Sequence, residues 1–243
     1  MKILLLIFIS IFILSCSSDY NWGWYILDPT LDQGLNNLYF LISGFWLTIS
    51  ISLISIFISL VAGLLVAILG FSVNKFLRII NRVYIEFFRA IPLLVLLLWI
   101  YYGLPVVFGL TVGAFAAGII SLSLSDSAFE AEIFRAGIQS ISIGQKDAAK
   151  SIGLNKFQEM KLIIIPQAVR VILPAIGNQF VYVLKMSSLV SIIGLADLTR
   201  KANELVVTVY RPLEIYSFLV LEYLFLIVII SYLIRKLESK LKI

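Results

Sequence analysis

Four ionisable side chains, Asp126, Glu130, Lys185 and Glu222, stand inside long apolar runs. At membrane depth such groups are costly unless paired or hydrated. They therefore mark either internal ion pairs, with Lys185 opposite Glu222 or Asp126, or the wall of a route for a polar solute, or a proton or ion relay. Asp126 and Glu130 are four residues apart and fall on one helical face. Little else in the chain could do chemistry. Histidine is absent, which removes the commonest general base and metal ligand. Cys16 is alone, so neither an internal disulfide nor a thiolate metal cluster can form. No GxxxxGK[ST] stretch is present to cradle nucleotide phosphates. The chain is expected to be no enzyme and to bind neither metal nor cofactor itself.

The elements that must carry these groups are membrane helices. Of 243 residues, 61% are hydrophobic and 14% charged, with mean hydropathy +1.04, against roughly 45–50% and 25% in soluble domains. The net charge of +5 is spread over short segments between apolar runs and makes no nucleic-acid patch. Apolar segments at about 38–70, 79–103, 106–134, 168–193 and 213–234 are each long enough to span if helical. An all-α membrane protein with about five crossings follows, its membrane domain occupying 38–238.

Residues 1–16 form one lysine and a short apolar run, the size of a signal h-region. Ile13-Leu14-Ser15-Cys16 resembles a loose lipoprotein cleavage box, after which Cys16 would carry lipid; the alternative is an uncleaved short leading helix. Either way 17–37, rich in aspartate, is expected outside the cell. The inner regions are then 71–89, 135–170 and the end of the chain, including the tail 239–243. They hold fourteen of the 19 Lys and Arg residues, against Arg200, Lys201 and Arg211 outside. That asymmetry places the 135–170 loop and the C-terminus in the cytoplasm.

Small residues recur every four positions at Ser55, Ser59, Gly63 and Ala67, and again at Gly113, Ala117, Ser121 and Ser125. Such stripes allow close helix packing, within the subunit or beside a translocation path. Pro92 and Pro174 are expected to kink their segments, and Glu132 with Arg135 to form a surface helix pair.

The inner loop 139–166 is the most ordered polar stretch. Gly144 is expected to open a turn, 145–152 to form a short helix, and Gly153 to take the left-handed position after it. Asn155 with Gln158 makes a capping box for a second helix, which Pro166 is expected to end. Ala148 and Ala149 keep one face shallow, while Ile152, Leu154, Phe157 and Met160 offer apolar anchors, the pattern of a helix-in-groove contact.

The spacing of Asp147-Ala148-Ala149, Gly153 and Ile163-Ile164-Ile165-Pro166 resembles the EAA loop of permease subunits of bacterial ABC importers, with Asp for the usual Glu. Tyr20-Asn21-Trp22-Gly23-Trp24, Gly44-Phe45-Trp46-Leu47-Thr48, Tyr84 to Pro92, Ala131 to Ile141, Pro166-Gln167-Ala168 and Gly177-Asn178-Gln179-Phe180 resemble the polar amino acid group of that family. This group serves glutamate/aspartate, glutamine, histidine and arginine systems. The resemblance implies the type I importer permease fold and a cytoplasmic coupling helix. It implies an inner-membrane subunit moving a polar amino acid, and a second permease subunit, identical or a sister. It also implies an ATP-binding subunit supplying ATP and Mg, and an extracytoplasmic solute-binding protein. Asp147, Ala148, Ala149, Gly153 and Pro166 would couple to the ATPase; Asp126, Glu130, Gln179, Lys185, Ser187 and Glu222 are candidates for the solute path. The chain departs from the family at Ser125, at Lys185 to Leu189, and at Glu130 and Glu222. A stand-alone secondary transporter or channel is the competing reading.

Overall fold

The computed structural model describes residues 20–240; the leading segment 1–16, Cys16 and the last residues of the tail lie outside them. The described chain is helical, without strands. In order come a 3₁₀ turn Trp24–Leu27, α1 (Asp32–Ile42) and α2 (Phe45–Gly70). Next come α3 (Lys75–Ala90), α4 (Leu93–Leu98), α5 (Leu104–Phe108) and α6 (Ala114–Gln139). They are followed by α7 (Ile143–Ser151), α8 (Lys156–Glu159), α9 (Ile165–Met186), α10 (Leu198–Val209) and α11 (Pro212–Lys240).

Three stretches, Asp32–Gly70, Lys156–Ile193 and Pro212–Ser239, are long and apolar enough to cross a membrane. The pair α3 and α4–α5 also passes, but it is bent by 98°. The second apolar segment is therefore not one span over 79–103. The break falls at Ile91-Pro92, because proline cannot donate a helical N–H and pushes its predecessor to extended backbone, and Ile91 is extended with ψ 124°. After the break the chain continues helically over 93–108, through a π-helical turn at Trp99–Gly103. Pro174, by contrast, lies inside an unbroken α9.

The centre of the molecule is α6 against α2. Ile51 meets Gly118, Ser123 donates to the Ser55 carbonyl at 3.2 Å, Ser59 donates to Asp126, and Gly63 faces Glu130. The residue numbers rise together, so these two helices run parallel. A β-carbon on Gly63 would sit 2.6 Å from that of Glu130 and 2.9 Å from the Ser127 carbonyl. This is the close approach that small-residue stripes permit where lipid offers no hydrophobic drive to associate. The stripe Ser55, Ser59, Gly63 and Ala67 is buried and spent on this contact. The second stripe is mixed: Ala117, Ser121 and Ser125 are buried, while Gly113 is the exposed N-cap of α6.

α9 runs against α6 in the opposite sense, Gln179 meeting Asp126 and Ile172 meeting Gly137. α11 reverses again, with Ile234 and Glu238 beside Gly177. Alternation of direction leaves two distinct ends. At one, Tyr20, Gly23 and Glu214 bond together, Arg211 donates to the Asn21 carbonyl at 2.7 Å, and Ile26, Leu41, Ala202 and Ile215 share a core. At the other, Ile141, Ile164, Ala168 and Ile172 seat the loop between α6 and α9.

Candidate functional site

At the second end the loop 139–166 forms a helix, an elbow and a helix. Ser142, not Gly144, is the N-cap, and Gly144 lies inside α7. Gly153 holds φ +81°; its N–H reaches the Lys150 carbonyl at 2.9 Å, and that of Leu154 reaches Ala149 at 3.1 Å. These two bonds make a Schellman stop, in which the left-handed residue suits glycine because it has no β-carbon. Asn155 accepts from the Gln158 N–H at 2.9 Å, and the Gln158 side chain accepts from the Asn155 N–H at 3.0 Å, the reciprocal capping box.

Pro166 does not end the second helix. After α8 the chain passes through a π-helical turn, Met160–Ile164, and enters α9 with Pro166 in its first turn. The 139–166 loop thus joins α9 as one continuous helical stretch, Lys156–Ile193.

Ala149 is 2% exposed and packs inward, whereas Asp147 and Ala148 face outward. Asp147 takes a surface pairing with Lys150 at 3.3 Å, worth little by itself. Ile143, Ile152 and Phe157 are each 73–74% exposed, and Leu162 57%. Leu154 and Met160, expected as anchors, are half-buried instead. Ile143 and Leu162 take their place; only the tertiary packing told these apart, since all are apolar in one short stretch.

The second group of candidates lies mid-helix. Asp126 is 3% exposed and accepts from Ser59 and, at 2.6 Å, from Gln179. Ser59, read from the sequence as a packing residue, is thus a polar partner as well. Glu130, one turn on, is fully buried against Gly63, and both its oxygens lack a hydrogen-bond partner among the described residues. Glu222, 5% exposed, is likewise unpartnered, and borders an apolar hollow with Phe45, Phe218 and Phe225. Ser187 is buried and donates to the Leu184 carbonyl at 2.8 Å.

No ion pair joins Lys185 to Glu222 or Asp126. Lys185 is exposed, as is Tyr182 three residues earlier on the same face, while Gln179 turns towards α6. A six-residue separation on an α-helix turns Lys185 about 120° away from Gln179. The Glu132–Arg135 pair does form, through bonds of 2.6 and 3.0 Å. The described residues contain no cluster of His, Cys, Asp or Glu able to hold a metal ion.

The family profile of binding-protein-dependent transport system inner membrane components matches residues 59–243. A probable glutamine ABC transporter permease protein of Bacillus subtilis (strain 168) is 38% identical over 207 residues, covering 85% of this chain and 95% of that protein. The glutamine transport system permease protein of Escherichia coli (strain K12) is 33% identical over 204 residues, 84% of this chain and 93% of the other. Among solved structures, an amino acid ABC transporter crystallised with histidines superposes with TM-score 0.84 at 37% identity, covering 91% of this chain and all of the other. An inward-facing methionine ABC transporter shares the fold, with TM-score 0.70 at 20% identity, over 84% of this chain and 97% of that one.

Proposed function

The chain belongs to the binding-protein-dependent transport system inner membrane components, and from that premise we propose that it is the permease subunit of an ATP-driven importer of a polar amino acid. Glutamine is the first candidate cargo, in view of the names of its relatives. The observation that carries this reading is the exposed apolar row Ile143, Ile152, Phe157 and Leu162 on a glycine-hinged polar loop. Such a row, isolated among Lys146, Lys150, Lys156 and Lys161, calls for a partner surface. A separate ATP-binding subunit in the cytoplasm is the fitting occupant, and ATP and Mg belong to it. A second permease subunit and an extracytoplasmic solute-binding protein complete the assembly.

The loop acts as a lever. Because α8 runs through the π turn into α9, a displacement of the loop is passed to the helix that carries Gln179. Two arrangements of the membrane helices, favoured respectively by the closed and open ATPase dimer, would expose a central route alternately. Asp147, Ala148, Ala149, Gly153 and Pro166 are the coupling residues in this proposal. Asp126 and Gln179, bonded to each other, are the candidates for a polar point beside the route; Glu130, Lys185, Ser187 and Glu222 remain candidates with no shared contact among them. A stand-alone relay would need those charges in line, and their separate locations give it no support.

The test is reconstitution of the subunit in vesicles with its ATPase and binding protein. Uptake of radiolabelled glutamine should require all three and ATP. Uptake persisting without the ATPase would overturn the proposal in favour of a secondary transporter.

A further inference from the structure

α3 has a composition unlike the crossings. Arg78, Arg82, Glu86 and Arg89 recur along one flank, and with Glu132 and Arg135 of α6 they line a hollow of about 390 Å³. Arg135 is already held by Glu132 and, at 2.7 Å, by Gln139. Arg78, Arg82 and Arg89 have no hydrogen-bonded or ion-paired side-chain partner among the described residues. Four guanidinium groups against two carboxylates leave the hollow cationic, and its free donors are of the planar kind that clasps phosphate oxygens.

The other flank of α3 is apolar and uncovered. Phe76, Val83 and Phe87 are 56–66% exposed. Phe87 and Phe88 also line an apolar groove of about 440 Å³ with Val95 and Trp99. The third side, through buried Asn81 and Ile85 and the Tyr84 hydroxyl bonded to Ser127 at 2.7 Å, fastens the helix to the bundle. α3 turns by 98° into the helical stretch that follows it. A helix with a basic flank and a separate, uncovered apolar flank has the pattern of an interfacial element.

We propose that the Arg78, Arg82 and Arg89 hollow binds the phosphodiester headgroup of an anionic phospholipid, whose acyl chains lie along the apolar flank of α3. The leaflet is the one on the side of the 139–166 loop, since Arg135 ends the same helix that leads into it. An apolar protein partner would leave the guanidinium groups unpaired, and a soluble anion would leave Phe76, Val83 and Phe87 in water; a charged lipid satisfies both flanks. This inference rests on reading the chain as a membrane subunit.

The test is native mass spectrometry of the full-length protein in detergent, titrated separately with short-chain phosphatidylglycerol, short-chain phosphatidylcholine and glycerol phosphate. Phosphatidylglycerol should be retained about ten-fold or more above phosphatidylcholine, and glycerol phosphate should fail to displace it. The double variant Arg78→Gln/Arg82→Gln should bind phosphatidylglycerol roughly thirty-fold more weakly, Arg89→Gln several-fold more weakly, and the exposed control Arg170→Gln equally well. Equal retention of both lipids, displacement by glycerol phosphate, or undiminished binding by both α3 variants would overturn the proposal. ATPase co-purification is scored on the same samples, so failure of the transporter reading shows there and failure of the lipid site shows in the lipid counts.

Discussion

Glu130 and Asp126 are chemically alike and one helical turn apart, yet their surroundings differ. Asp126 has two donors, and a Leu in its place would strand the Gln179 amide, while Ser59 keeps the Ile56 carbonyl at 2.9 Å. That loss should cost about 1–3 kcal/mol, read as a lowered melting temperature in detergent. Glu130 has none, so Glu130→Gln, which removes the carboxylate but keeps its shape, should melt no lower than the parent; a fall of several degrees would mean a partner is present. Asp197 caps α10 at the opposite end, accepting from the Arg200 N–H at 2.9 Å, and burial pushes its carboxyl up to about 6. A folded pKa above the unfolded value of 3.8 means tighter proton binding in the native state. Its contribution is complete below pH 4 and is lost as pH rises through 6. Asn caps as well as Asp, so Asp197→Asn should raise the melting temperature at pH 8 and lose that advantage near pH 4. The sequence located these carboxylates but not their partners, because Ser59, Gln179 and Gly63 reach them from helices 53 to 67 residues away.

Among the elements, the 139–166 loop was the most legible, since glycine stops and capping boxes are local and need only neighbouring residues. Gly153 has open space around its missing β-carbon, so a substitution there meets backbone strain and no clash. Gly153→Asp should therefore leave the subunit inserted while straining the elbow by about 1–2 kcal/mol, and it should lower ATPase co-purification. Phe157→Asp should abolish co-purification without any strain, and retained association in both variants would show that the partner surface lies elsewhere. The role of Pro166 is not legible in the sequence, because proline can either end a helix or stand near the start of one, and here the preceding turn widens into a π turn. The α2–α6 contact makes the opposite demand: Gly63→Leu meets the Glu130 side chain and the Ser127 backbone. It should prevent stable folding, seen as loss of protein from detergent extracts.

For the molecule as a whole, the two ends separate the charges as the sequence expected. Arg78, Arg82, Arg89 and Arg135 gather on the side of the 139–166 loop, and Arg200, Lys201 and Arg211 on the side of the N-terminal aromatic residues. In a Cys16→Ser background, Lys146→Cys should resist an impermeant thiol reagent applied to intact cells, and Lys201→Cys should react; the reverse pattern would invert the topology. The sequence alone determined the membrane class, the charge asymmetry and the capped elbow, because hydropathy, charge and caps act over a few neighbouring residues. Only the tertiary structure decided that α3 bends sharply away from the stretch that follows it, that Lys185 pairs with neither Glu222 nor Asp126, and which apolar side chains of the loop stay uncovered. Those outcomes depend on which faces of distant helices meet, and a linear pattern specifies the faces without specifying their partners.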